Sequence, residues 1–126
     1  MFNIESTTVN KEQQGVWIPF KGSEFLIASS NSLRFQRAFA RLQRPYKKKI
    51  DKGTLDPKTQ FEIMCRSLAE TALLGWKNVQ NSKGEIVEFS VEVAEAALTN
   101  NSEFRSFVVN VASDDDNFID EEEISK

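Results

Sequence analysis

Asp56-Pro57 fixes the start of a helix more firmly than any other pair in this chain. A carboxylate at the cap accepts from the free N–H groups, and proline at the first helical position sacrifices no hydrogen bond. Phe61, Met64, Cys65, Leu68 and Ala72 then recur at the spacing of one helical face. Gly75 stands where a left-handed residue ends a helix. The pattern predicts an amphipathic helix over about 57–74. The rest of the chain must supply what its apolar stripe packs on. Trp76 follows at once and is expected to turn back, buried, onto the end of that helix.

A second stripe, Phe35, Ala38, Phe39 and Leu42, predicts a helix over about 32–44, capped by Asn31 or Ser32 and stopped by Pro45. After it a basic loop is expected to run to Thr54. Upstream, Val16-Trp17-Ile18 and Glu24-Phe25-Leu26-Ile27 flank Phe20-Lys21-Gly22-Ser23 and read as a hairpin. Pro19 confines the first strand to an edge. Downstream, Asn81-Ser82-Lys83-Gly84 is a turn between the short strand residues Val79 and Ile86. Ser90 caps a helix over about 91–98. Asn100 or Asn101 caps a last one to about 112, with Phe104, Phe107, Val108 and Val111 on its apolar face. The expected fold is α+β, a mainly helical small single domain of about four helices with an N-terminal β-hairpin. Residues 1–14 read as an arm or an edge strand, 15–112 as the globular domain, and 113–126 as an acidic, disordered tail. A length of 126 residues leaves no room for a second sizeable core.

Charge is strongly segregated beneath a formal net charge of −3. Residues 34–52 hold eight basic side chains against one acidic, whereas residues 114–126 hold seven acidic against one basic. Arg34, Arg37, Arg41 and Arg44 fall opposite the apolar stripe of their helix, and Lys47, Lys48 and Lys49 follow. These seven are the candidate partner-binding residues. Three readings of them stay open: a solvated face, a surface for an acidic protein partner, and a phosphate-tracking surface for nucleic acid.

Catalysis finds no constellation. With no His in the chain, triads, Cys–His pairs and imidazole-bound zinc are excluded. The acidic stretch beginning at Asp114 fails as a calcium loop, because its fifth and sixth positions are Phe118 and Ile119. The five glycines match no nucleotide-binding spacing. Cys65, the sole cysteine, lies on an apolar stripe and reads as a core residue. No catalytic residue, cofactor or metal ligand is therefore expected, and the chain reads as no enzyme. The opening residues lack a basic region before a long apolar run, and no apolar run spans a bilayer, so neither a signal peptide nor a membrane contact is expected.

Four pieces in order carry a resemblance: Gly15-Val16-Trp17-Ile18 leading to Phe25-Leu26-Ile27-Ala28-Ser29 and a helix with Phe35; the basic helix ending in Arg44-Pro45; Leu73-Leu74-Gly75-Trp76-Lys77-Asn78-Val79 with Gly84 and Phe89-Ser90; and Phe104-Arg105-Ser106-Phe107-Val108 with Phe118 beyond. In this order the chain resembles the tail assembly chaperones of long-tailed (siphovirus-type) bacteriophages. The resemblance implies a non-enzymatic protein of the host cell cytoplasm that binds the tape measure protein, keeps it soluble and helps recruit major tail protein. It leaves self-association open and offers no catalytic residues. The alternatives are a nucleic-acid-binding module using residues 34–52 and a structural virion component.

Overall fold

In the computed structural model, which describes residues 14–119, the chain begins with the expected hairpin. Strands β1 (Val16–Phe20) and β2 (Ser23–Ile27) pair antiparallel with Phe20 opposite Ser23. Only Lys21 and Gly22 lie between them, and both have positive φ, at 50° and 82°. Two left-handed residues give the tight turn whose twist matches that of the strands, and glycine adopts the second without strain. β1 lies at the sheet edge, as Pro19 requires.

The second helical segment is as expected. Ser32 caps α1 (Leu33–Gln43) by accepting from the Phe35 N–H at 3.2 Å, and Ala38, Phe35, Phe39 and Leu42 form its buried or half-buried face. Pro45 does not release the chain into a loop. It lies in a 3₁₀ turn, Arg44–Tyr46, that passes directly into the short helix α2 (Lys47–Asp51). Proline in a first turn has a suitable φ and a dispensable N–H, so it starts this new turn as readily as it ends α1.

α3 (Pro57–Thr71) is the central helix, with Ile63, Cys65, Ser67, Leu68, Ala69 and Thr71 buried. Two of these are hydroxyls, and each donates back into its own helix, Ser67 to the Ile63 carbonyl at 2.7 Å and Thr71 to the Ser67 carbonyl at 2.8 Å. No buried polar side-chain atom among the described residues lacks a partner. Burial pushes the Cys65 thiol above its ordinary range, as befits a core residue.

The end of α3 corrects the sequence reading. The helix stops at Thr71, and Leu73–Lys77 is a third strand, β3, paired antiparallel with β2. Gly75 is a strand residue with ordinary φ, placed where a Cβ would lie 3.9 Å from the Leu26 side chain and 4.0 Å from the Trp17 ring across the sheet. Trp76 is half-buried, not buried, and packs within the sheet layer rather than on the helix end. Its indole donates to the Val87 carbonyl at 2.8 Å, and its ring meets Phe25 and Phe89 edge-on at 6.2 and 5.1 Å. Beyond it, Gln80 and Ile86 form an isolated antiparallel bridge around the Asn81–Gly84 turn.

Ser90 caps α4 (Val91–Asn100), accepting from the Val93 N–H, and Asn101 caps α5 (Ser102–Ser113), accepting from the Phe104 N–H. The protein is therefore α+β and mainly helical, a three-stranded antiparallel sheet with four helices of ten residues or more among the described residues. The core joins Phe25 and Ile27 of the sheet to Leu68, Leu98, Phe104 and Val108 of three helices. Ala28 and Ser30 stitch the end of β2 between two helix ends, donating to the Ala72 and Ala112 carbonyls at 2.7 and 2.9 Å.

The disordered tail expected from residue 113 also needs correction. Asp115–Phe118 form a 3₁₀ turn, and the Phe118 side chain is wholly buried. The Asn31 amide donates to the Ser113 carbonyl at 3.1 Å and to the Asp115 carboxylate at 2.9 Å, while Asn117 donates to the Val111 carbonyl at 3.0 Å. One large apolar ring outweighs three solvated carboxylates, since burying it stabilises by roughly 1.5–3 kcal/mol. Residues 120–126, and residues 1–13 of the expected arm, lie outside the described residues.

Candidate functional site

The arginine face divides in two. Arg41 bonds the Glu70 carboxylate of α3, and the Arg34 guanidinium approaches the Glu70 carbonyl at 3.5 Å. Glu70 also accepts from Arg66 at 2.7 Å, and Arg66 reaches Glu95 of α4 at 3.4 Å. The Glu70 hydrogen bond raises the already high basicity of Arg66. Arg34 and Arg41 thus help tie α1 to α3, and this network runs on to α4. Glu70→Gln is expected to destabilise the fold by about 1–2 kcal/mol, because one half-buried carboxylate serves two guanidiniums. Glu88→Gln, an exposed change, should stay within about 0.5 kcal/mol in the same urea melts.

Arg37, Arg44, Lys47, Lys48 and Lys49 are exposed, and none is in an ion pair among the described residues. Of the seven predicted residues these five remain available for a partner. Arg44 and Lys47 border a recess of about 460 Å³ floored by Ala40 and Ile50. It shares Gln43 and Ile50 with a cleft of about 370 Å³ lined by Phe39, Leu55, Ile63 and Met64. The basic residues therefore rim an apolar cleft between α1, α2 and α3, a relation their spacing alone does not reveal.

A wider concavity lies elsewhere, on ground the sequence did not single out. It is an open groove of about 660 Å³ between the hairpin turn, the segment after β3, and α4 with the start of α5. Phe20, Phe25, Trp76 and Phe104 form its aromatic wall, with Val93 and Ala97 of α4 opposite. Lys21, Gln80, Asn100 and Asn101 supply polar groups at the same groove. The aromatic wall is mutually braced: Phe25 meets Phe104 at 4.9 Å, and Phe20 stacks on Phe107 at 4.3 Å. Ser23 donates to the Asn78 carbonyl at 2.7 Å and holds the segment after β3 against the hairpin. Val93 is 38% exposed. The only forewarning in the sequence is the abundance of Phe, ten residues against one Tyr and two Trp.

Such a groove is suited to apolar contact and chain positioning. Among the described residues no group of three or more acidic or Cys side chains is placed to hold a metal ion, and no helix is long and apolar enough to cross a membrane.

No curated protein and no solved structure matches the chain. A family model described as YdaY prophage protein matches residues 28–125, which takes in helices α1 to α5 and β3 and begins just after the hairpin. By that match over most of its length, the chain is phage-derived and belongs to the YdaY prophage protein family.

Proposed function

We propose that this protein is a non-enzymatic tail assembly chaperone of the host cytoplasm, which holds apolar helical segments of the tape measure protein and keeps that long chain soluble until major tail protein assembles around it. The observation that carries this reading is the open, aromatic-walled groove between the hairpin and α4–α5. An amphipathic helix buries an apolar stripe in such a groove by side chains at i, i+3, i+4 and i+7. The phage origin of the family supports the same reading. So does the segregated charge, which keeps a carrier of exposed apolar surface in solution.

The test is co-expression with tape measure fragments followed by co-purification. Val93→Glu places a carboxylate in the groove at an already exposed position, so the fold should persist. It is expected to reduce the co-purified client about tenfold or more, since an unpaired charge desolvated against apolar surface is costly. Retention of the client at the wild-type level would place client binding outside the groove. Steeply salt-dependent binding of duplex DNA by the wild type, with no client retained, would replace the chaperone reading by a nucleic-acid module.

A further inference from the structure

We propose that copies of this chain associate head to tail, with the acidic C-terminal segment of one copy seated in the basic-rimmed cleft between α1, α2 and α3 of the next. The inference does not depend on the chaperone reading.

The cleft is a composite surface. Its floor is apolar, with Met64 40% exposed, and Arg44 and Lys47 stand at its edge with Lys48, Lys49 and Lys52 exposed close by in sequence. Asp51 is the sole acidic residue of this segment. A fitting occupant pairs apolar side chains with several carboxylates. The sequence Ile119-Asp120-Glu121-Glu122-Glu123-Ile124 has that composition, isoleucines enclosing four consecutive acids.

The acidic and the basic charge of one copy are set apart along α1. The acidic segment sets out from the N-terminal end of α1, where Asn31 holds Asp115 at 2.9 Å. The basic rim begins past the C-terminal end of α1, at Arg44. An α1 of eleven residues separates the two ends by about 16 Å. Each copy thus presents an acidic end and a basic end at opposite ends of one helix. Contacts of this heterologous kind continue from copy to copy, closing as rings or extending as strings.

The experiment is sedimentation velocity on the full chain over a concentration series, at about 50 mM and about 500 mM salt, where screening lengths differ roughly threefold. The mass should rise with concentration at low salt and return to that of a single chain at high salt. Truncation after Ile119 and the triple reversal Lys47→Glu, Lys48→Glu, Lys49→Glu should each weaken association about tenfold or more. Mixing these two variants should restore a complex of one copy each, since one retains the cleft and the other the acidic segment. Circular dichroism checks that the reversal folds; if it does not, the triple alanine variant replaces it, with a smaller loss expected. A wild type that stays a single chain throughout overturns the proposal, as does association that both variants retain. Single chains whose Lys47–Lys49 become more reactive to acylation on truncation also overturn it, because the segment would then cover its own cleft.

Discussion

Phe118→Ala is expected to lower the free energy of unfolding by about 3–5 kcal/mol, the range for a large aromatic removed from a closed core site. The ring is 0% exposed, although its neighbours in sequence are Asp114, Asp115, Asp116 and Asp120. It is fixed from both sides of the chain, by Asn117 bonded back to α5 and by Asn31 bonded to Ser113 and Asp115. Truncation after Ala112 removes the ring and these bonds together and should cost at least as much. Asp116→Asn, an exposed change, is the control and should shift the urea midpoint little. A loss below about 1 kcal/mol for Phe118→Ala would mean that residues 113–119 contribute nothing to the core.

Phe25→Ala carries the second large effect, again about 3–5 kcal/mol. Phe25 is 5% exposed and joins the inner face of the sheet to the helical layer. Its ring meets four others, Phe20 at 6.3 Å, Trp76 at 6.2 Å, Phe104 at 4.9 Å and Phe107 at 5.9 Å. Each such aromatic pair adds about 0.5–1.5 kcal/mol beyond area burial, so the loss should lie toward the upper end. Phe25→Leu, which keeps an apolar branch in place, should lose roughly half as much. If Phe25→Leu unfolds at nearly the wild-type urea concentration, the ring stacking contributes little and the cluster is held by burial alone.

The elements most legible in the sequence are those fixed by local chemistry. The caps Ser32, Ser90 and Asn101 and the Lys21-Gly22 turn are each decided within a few residues, and each stands where the spacing places it. What the sequence concealed depends on partners distant along the chain. Leu73 and Leu74 continue the apolar character of α3, and only pairing with β2 turns them into a strand. Gly75 had a local reason to end a helix, but the pairing of β3 with β2 makes it a strand residue opposite Leu26. Phe118 lies in a segment whose charge argues for solvent, and the site that receives it is built by other elements. The arginine stripe was visible, yet its division into Arg34 and Arg41 on Glu70 and Arg37 and Arg44 in solvent required the packing of α1 on α3. The groove escaped notice for the same reason, since its wall is assembled from β1, β2, β3 and α5, no two of them contributing adjacent residues.

Trp76 offers the most direct test of the groove as the client site. It lines the groove, whereas Trp17, the other tryptophan, lies 43% exposed in the edge strand and takes no part in the groove. In a Trp17→Phe variant Trp76 is the sole indole, and its emission reports the groove alone. Titration with an apolar helical peptide from a tape measure protein should shift that emission to shorter wavelength and saturate, and Val93→Glu should abolish the shift. An emission maximum that stays fixed while the peptide binds would contradict the groove as the client site.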